Sequence, residues 1–147
     1  MSATVGIPPA ITEETEAFWA AAKEGRLLVE RCTACGAESF PPRGMCRACR
    51  GRETEQVEIT ETGRVYSFTV NHQRWLPDLE VPYAVALVEF DAHPGVRVTG
   101  RLRIDDLDAI TIGMPVEIGF EPGPGECAIP SFTARRLAER ADSEAIA

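Results

Sequence analysis

Two Cys-x-x-Cys pairs separated by ten residues constrain this chain more than any other feature. Cys32 and Cys35 form the first pair and Cys46 and Cys49 the second, within the run RCTACGAESFPPRGMCRACRG. Each pair can form a tight turn that points two thiolates at one ion, and two such turns complete the tetrahedral site that zinc prefers. Because four protein ligands leave no position open for water or substrate, we predict a structural metal.

The same pairs could also belong to a redox site or to disulfides. A redox Cys-x-x-Cys normally opens a helix of an α/β unit, and neither pair here does so. We therefore predict Zn²⁺, with iron as the alternative because four thiolates accept either ion, and we expect no redox or organic cofactor. Gly36 suits the turn after the first pair, whereas Arg50 at the equivalent place predicts a less favourable second turn. Cys127 stands apart and is interpreted as a buried or incidental thiol.

A short helix is predicted ahead of the cysteines. Thr12 is its expected N-cap and Gly25 its expected end, and glutamates near residue 14 place negative charge at the positive end of the helix dipole. Phe18 and Trp19 give this helix a small apolar face. Such a face must dock, either on the body of this chain or on a partner.

The sequence becomes typical of β structure from Val57 onward. Five short runs rich in β-branched and aromatic residues are VEIT, GRVYSFTV, YAVALVEF, VRVTGRLR and PVEIGF. Five strands at this spacing predict an OB-fold barrel, and RIDDLDAITIG between the last two predicts a turn of helix. The predicted fold is mainly β with an N-terminal helix, a rubredoxin-like zinc ribbon and a five-stranded OB-fold barrel. The predicted units are an N-terminal helical segment at 1–25, the ribbon at 26–52, the OB-fold at 53–134 and a charged tail at 135–147.

The distribution of charge argues against a nucleic-acid-binding protein. Residues 53–134 contain five arginines and fourteen acidic residues, a net charge of −9, and the whole chain carries −8. Such a surface repels phosphate backbones, although zinc ribbons and OB-folds are common in nucleic-acid-binding proteins. Residues 26–52 differ, because six arginines outnumber two glutamates there. This basic region could bind a phosphorylated ligand or an acidic partner, or could be an ordinary solvated surface.

The connection NHQRWLPDLEVPY between the second and third predicted strands contains more apolar surface than a solvated loop needs. It carries His72, Trp75 and Tyr83, and it leads into a run that is almost wholly apolar up to Val88. These features are typical of interface anchors, although the loop could also fold onto its own barrel. The apolar run predicts a strand with both faces covered, one of them by another surface.

The order of these motifs resembles the zinc-ribbon/OB-fold proteins long catalogued as a domain of unknown function. The resemblance extends from about residue 18 to residue 132, and its most specific part joins the four cysteines to Gly36, Phe40, Pro41, Pro42 and Arg43. Members of this family partner thiolase-fold enzymes that make or break carbon–carbon bonds in coenzyme A thioesters, including aldolases of steroid side chains. The resemblance implies a binding or scaffolding subunit.

The residues themselves are compatible with that role. The chain has no G-x-S-x-G, H-E-x-x-H or Walker motif, and of its two histidines we interpret His93 as a turn residue. We therefore expect no catalytic residue in this chain. Arg43 and Arg47 are candidates for binding coenzyme A phosphates, and the candidate interface residues are Phe40, His72, Trp75 and Tyr83.

The expected function is that of an accessory subunit in a hetero-oligomer with a thiolase-fold protein, with acyl-CoA at the shared interface. The alternatives are a nucleic-acid or ribosome-associated module and a free-standing acyl-CoA carrier. The start MSATVGIPPA lacks a signal peptide, and no apolar run approaches the roughly 18 residues that cross a bilayer. We therefore expect a cytoplasmic protein with no membrane partner.

Overall fold

The structure is a computed structural model that describes residues 6–134 of the 147-residue chain. One helix, α1 (Glu16–Lys23), precedes a three-stranded sheet and a closed barrel. The sheet has the order β2-β1-β3, with β1 at Leu27–Cys32, β2 at Glu38–Ser39 and β3 at Thr54–Ile59. The barrel has the order β4-β5-β6-β8-β7, and its strands are Gly63–Asn71, Tyr83–Glu89, Arg97–Arg103, Pro115–Pro122 and Ala128–Ala134 in chain order. The predicted fold class, a ribbon followed by a five-stranded OB-fold, is confirmed.

Helix α1 ends where the sequence predicts but begins later. Thr15 occupies the N-cap position, and the carbonyl of Thr12 accepts hydrogen bonds from the N–H groups of Thr15 and Glu16. The expectation of Thr12 as the cap is therefore wrong, because residues 12–15 form a separate turn. At the other end Gly25 adopts a φ of 78°, and its N–H and that of Arg26 close the last turn on carbonyls of the helix.

The apolar face of α1 packs on this chain. Phe18 is buried, and its ring centroid lies 4.9 Å from that of Trp19 and 5.3 Å from that of Phe40. Helix α1 contacts both β1 and β8. The eight-residue helix is far shorter than the roughly 20 residues that a bilayer requires. No helix in the described part of the chain could span a membrane.

Two strand assignments made from the sequence differ from the structure. The run beginning at Val57 was expected to open the barrel, but β3 pairs with β1 in the ribbon sheet, from Leu27 opposite Ile59 to Cys32 opposite Thr54. The fifth barrel strand is β8, which pairs in parallel with β6 and antiparallel with β7. This strand lacks a sequence signal because Pro130 interrupts it and a Gly- and Pro-rich segment precedes it.

Strand β5 alternates between a buried face and a half-buried face. Its inward residues are Ala84, Ala86 and Val88, which join Phe132 in the barrel core. Its outward residues Val85 and Leu87 are half-buried, so the described chain itself covers only one face completely. The predicted helical turn between the last two predicted strands is present as a 3₁₀ turn, Leu107–Ala109.

A half-buried hydrogen-bonded cluster joins the ribbon to the barrel. Glu38 of β2 accepts a hydrogen bond from His93 Nδ1 at 2.6 Å and another from Arg31 Nη2 at 3.0 Å. The Glu38 and His93 side chains are each 11% exposed. Burial raises the pKa of Glu38, but the hydrogen bonds and charges of His93 and Arg31 outweigh burial and hold this pKa below its ordinary value. His93 is a turn residue, as predicted, and it is also part of this contact.

We expect Glu38→Gln to destabilise the chain by about 1–3 kcal/mol near neutral pH, because it weakens two charge-assisted hydrogen bonds. The lowered pKa means that the stabilisation is fully present above the ordinary carboxyl pKa of 4.5 and is lost as the pH falls through the lower pKa of the folded state. Urea unfolding of both proteins across the acid range measures this difference. Glu55→Gln is the control, because Glu55 is exposed and lies 3.6 Å from Arg31. Equal losses in the two variants would contradict the prediction.

Candidate metal centre and candidate interface residues

The four cysteine sulfurs converge on one point. All four Sγ atoms lie within 4.8 Å of one another, with 3.6 Å between Cys32 and Cys49 and 3.5 Å between Cys35 and Cys46. A tetrahedral zinc site with Zn–S bonds of about 2.3 Å requires sulfur separations of roughly 3.8 Å. The donor set and its spacing therefore fit zinc. Cys32 and Cys46 are 2% and 5% exposed, whereas Cys35 and Cys49 face solvent.

Both cysteine turns have the same backbone geometry, at different conformational cost. The N–H of Gly36 donates to the Cys32 carbonyl at 2.9 Å, and the N–H of Arg50 donates to the Cys46 carbonyl at 3.0 Å. Gly36 has a φ of 77° and Arg50 a φ of 64°. The left-handed conformation is unstrained for glycine but costs a residue with a Cβ about 1–2 kcal/mol. The second turn therefore keeps the geometry of the first, and Arg50 gives it the higher conformational cost.

Gly51 completes the second turn and was not identified from the sequence. Its N–H donates to Cys49 Sγ at 3.4 Å, and its carbonyl accepts the N–H of Cys46 at 2.8 Å. A Cβ at this position would lie 3.2 Å from Cys49 Sγ and 3.5 Å from Cys32 Sγ. The backbone thus approaches the sulfurs so closely that a side chain would crowd them. The sequence signal that could have indicated this close approach is the glycine directly after the second turn.

Backbone N–H groups lower the pKa of two of the thiols, which favours the thiolate form that binds metal. The N–H groups of Cys49 and Ala48 lower the pKa of Cys46 to about 6, and the N–H of Cys35 lowers the pKa of Cys32. The N–H of Ala37 also lowers the pKa of Cys35, but hydrogen bonding with the Cys46 thiol and burial raise it to about 12. Zinc would be held by all four sulfurs as thiolates and would act as a structural cross-link.

Glu30 fixes the loop between the two cysteine turns. It is 3% exposed, and its carboxylate accepts the backbone N–H groups of Arg43 at 2.9 Å and Gly44 at 3.1 Å. The hydroxyl of Ser39 donates to it at 3.4 Å. The sequence shows only an acidic residue at the end of the apolar run LLVE, which does not reveal a buried loop anchor.

The two candidate phosphate-binding arginines are exposed on the ribbon. Glu30 holds the backbone of Arg43, while the Arg43 and Arg47 side chains form no ion pair with any residue in 6–134. Arg26 and Arg31, also on the ribbon, pair with Glu58 and Glu38. The net positive charge of the ribbon is therefore concentrated on arginines that lack a carboxylate in the described chain.

The four candidate interface residues lie in different surroundings. Trp75 is 70% exposed, and its indole N–H donates to Asn71 Oδ1 at 3.1 Å, while His72 is exposed in the same connection. Tyr83 is half-buried, with the Arg101 guanidinium 4.5 Å above its ring. Phe40 is half-buried and packs on Phe18, which places it in the contact between ribbon and helix.

A cleft of about 750 Å³ opens beside Tyr83. Arg101, Leu107, Met114 and Asp106 also contribute to its walls. A smaller cleft beside it contains His72 and shares Pro82 and Leu107 with the first. The structure thus brings His72 and Tyr83, which are far apart on the connection, to adjoining depressions.

Comparison with known proteins agrees with this architecture. Residues 19–55 match the family described as ChsH2, rubredoxin-like zinc ribbon domain, and residues 56–121 match ChsH2, C-terminal OB-fold domain. The DUF35 domain-containing scaffold protein of Methanocaldococcus jannaschii is 33% identical over 105 residues, which are 69% of this chain and 73% of that protein. The chain belongs to the DUF35 family.

Two further proteins are similar to this chain in sequence or in structure. A chain of the solved Ltp2-ChsH2(DUF35) aldolase superposes with a TM-score of 0.77 at 36% identity, covering 86% of this chain and 98% of that one. The probable enoyl-CoA hydratase alpha subunit of Thermomonospora curvata is 38% identical over 124 residues, which are 84% of this chain. The chain spans only 38% of that subunit's length.

We expect Cys32→Ser and Cys46→Ser to lose the metal, because three thiolates and a hydroxyl no longer saturate the site. Elemental analysis of the purified wild-type chain should give about one equivalent of zinc or iron, and limited proteolysis should cut the ribbon faster in the variants. Cys127→Ser is the control, because Cys127 donates to the Pro124 carbonyl outside the cluster and the variant should keep its metal. Less than about half an equivalent in freshly purified wild-type protein would contradict the prediction.

Proposed function

We propose that this DUF35 chain is a non-catalytic accessory subunit of a thiolase-fold enzyme that acts on acyl-CoA thioesters. In this proposal it binds the enzyme, stabilises it and contributes one wall of the channel that coenzyme A enters. The names of the relatives support a role in a complex, since one is a scaffold protein, one an alpha subunit and one part of an aldolase.

The observation that carries the proposal is the exposed Trp75. Its ring projects from the connection between β4 and β5, and the hydrogen bond to Asn71 fixes the indole. A second bond, from Asn71 Nδ2 to the Gln73 carbonyl at 2.7 Å, closes the loop beneath it. A large aromatic side chain that is held rigid in water loses little entropy on binding and gains much from desolvation. These are the properties of an interface anchor.

The two histidines and the cysteine outside the metal cluster are hydrogen-bonded to other groups or exposed to solvent. His93 is bonded to Glu38, Cys127 is buried with its thiol directed at a carbonyl, and His72 is exposed. In the proposal the partner therefore supplies the nucleophile and the acid/base groups. The ribbon supplies Arg43 and Arg47, whose guanidinium groups can bind coenzyme A phosphates by charge-assisted hydrogen bonds.

We expect Trp75→Ala to weaken the complex with the thiolase-fold partner by about 2 kcal/mol without unfolding this chain. The measurement is co-expression with thiolase-fold proteins of the same organism, followed by titration calorimetry of the purified pair. Ile112→Ala is the control, because Ile112 is also an exposed apolar residue but lies in the turn before β7. Cleavage of an acyl-CoA by this chain alone, or equal binding by Trp75→Ala and wild type, would contradict the proposal.

We also expect weak binding to nucleic acid. With a net charge of −9 on residues 53–134, affinity for a single-stranded oligonucleotide should be no better than about 10⁻⁴ M at physiological salt. Fluorescence anisotropy with labelled DNA and RNA measures it. Sub-micromolar binding with a steep salt dependence would favour the nucleic-acid-binding alternative.

A further inference from the structure

The arginines of the barrel are confined to one side of it. Four of the five occupy outward positions on β4 and β6, and the fifth, Arg74, lies in the connection that leaves β4. The outward face of β4, β5 and β6 carries one acidic residue, Glu89, so thirteen of the fourteen acidic residues between 53 and 134 lie elsewhere. This sheet face is therefore positive on a barrel that is otherwise strongly negative. Its arginines are Arg64, Arg97, Arg101 and Arg103.

Two of these arginines are stacked on tyrosine rings. The Arg97 guanidinium lies 3.8 Å from the centre of the Tyr66 ring, and the Arg101 guanidinium lies 4.5 Å from that of Tyr83. Tyr66 is exposed at an irregularity in the pairing of β4 with β5 between Val65 and Ser67, and its ring meets the guanidinium from β6, which lies on the other side of β5. We call these four residues, Tyr66, Tyr83, Arg97 and Arg101, the Tyr–Arg face.

The stacked arginines lack the carboxylate partners that the other two have. Arg64 pairs with Asp91, and Arg103 pairs with Glu121. Neither Arg97 nor Arg101 forms an ion pair with any residue between 6 and 134. Moreover, Arg101 Nε is buried and has no hydrogen-bond acceptor among residues 6–134, so no internal acceptor uses that N–H.

Apolar side chains separate the two stacked pairs. Val85 lies opposite Arg101 in the sheet, and Leu87 lies opposite Thr99 between the two arginines. Arg97 and Arg101 are four residues apart on one strand, which places them roughly 13 Å apart. The face therefore has a half-buried apolar strip with one positive charge held at each end. Tyr83 and Arg101 also line the larger cleft, so the strip continues into it.

We propose that the Tyr–Arg face is a docking surface for a partner protein that places a carboxylate on each of Arg97 and Arg101 and apolar side chains on Val85 and Leu87. This inference rests on the proposed accessory function and identifies the surface through which it operates. Stacking on tyrosine holds each guanidinium in place before binding, so little side-chain entropy is lost when the carboxylates arrive. The surrounding acidic barrel repels partners whose carboxylates do not align with these arginines.

The same observations favour a protein over single-stranded nucleic acid. OB-folds do bind oligonucleotides on this sheet face, using aromatic and basic residues. A strand of nucleic acid, however, carries a phosphate at every nucleotide, and beyond the Tyr–Arg face it would run over acidic surface. Two isolated carboxylates on an apolar protein surface match the two unpaired arginines without that repulsion.

The test compares binding of the co-purified thiolase-fold partner by wild type and by the double variant Arg97→Gln, Arg101→Gln at low and high ionic strength. We expect the double variant to bind at least about tenfold more weakly at low salt and to show a flatter salt dependence. Arg64→Gln, on the same face but already paired with Asp91, is the matched control and should bind like wild type. Thermal melting establishes that each variant is folded. If the double variant does not fold, the single variant Arg97→Gln decides the test. Arg97 is exposed, so this substitution leaves the barrel core unchanged.

The outcomes separate this inference from the proposed function. Equal affinity and salt dependence of the double variant and wild type would overturn the Tyr–Arg face while leaving the accessory function intact. Absence of any complex with wild type would overturn both. Sub-micromolar binding of a thymidine oligonucleotide that the double variant loses would assign the face to nucleic acid. Self-association of wild type that the double variant loses, measured by analytical ultracentrifugation, would assign it to a second copy of this chain. Either of these last results would also overturn the proposal.

Discussion

Convergence of four sulfurs is the constraint on which the ribbon depends. The ribbon sheet is too small to bury a core of its own, so the cysteine cluster must hold its two turns together. Strand β1 connects this cluster to the rest of the molecule. Its end, Cys32, belongs to the cluster, Glu30 anchors the loop before the second turn, and Val29 and Leu27 are buried in the core that continues into the barrel. One six-residue strand thus connects the metal centre to the rest of the fold.

The ribbon and the barrel are joined by more than the chain that links them. The Glu38–His93 pair crosses from β2 to the turn between β5 and β6, and α1 packs on both β1 and β8. A scaffold needs this kind of rigidity, because surfaces on two modules can bind one partner together only if their relative positions are fixed. Arg43 on the ribbon and Trp75 on the barrel are presented from the two modules that these contacts join.

The parts of the fold that could be predicted are those with local signals. The cysteine spacing specifies the ribbon, Gly25 ends α1, and β-branched runs mark four of the five barrel strands. The fifth strand could not be identified, because Pro130 conceals it and its pairing with β6 is distant in sequence. Glu30 and the Tyr–Arg face were missed for a related reason. Their partners come from other segments, so their role exists only once the strands are in register.

The arrangement of charge gives a physical reason for a role in binding. The arginines of residues 6–134 that lack a carboxylate lie on the ribbon, on the outward face of β4 to β6 or, for Arg74, in the connection that leaves β4, and the rest of the barrel is acidic. Each unpaired guanidinium keeps its hydrogen-bonding capacity for a carboxylate or phosphate from outside. A surface with two positive regions on a negative body fixes the orientation of an incoming partner through attraction at two places and repulsion elsewhere. This pattern constrains how a second protein can dock.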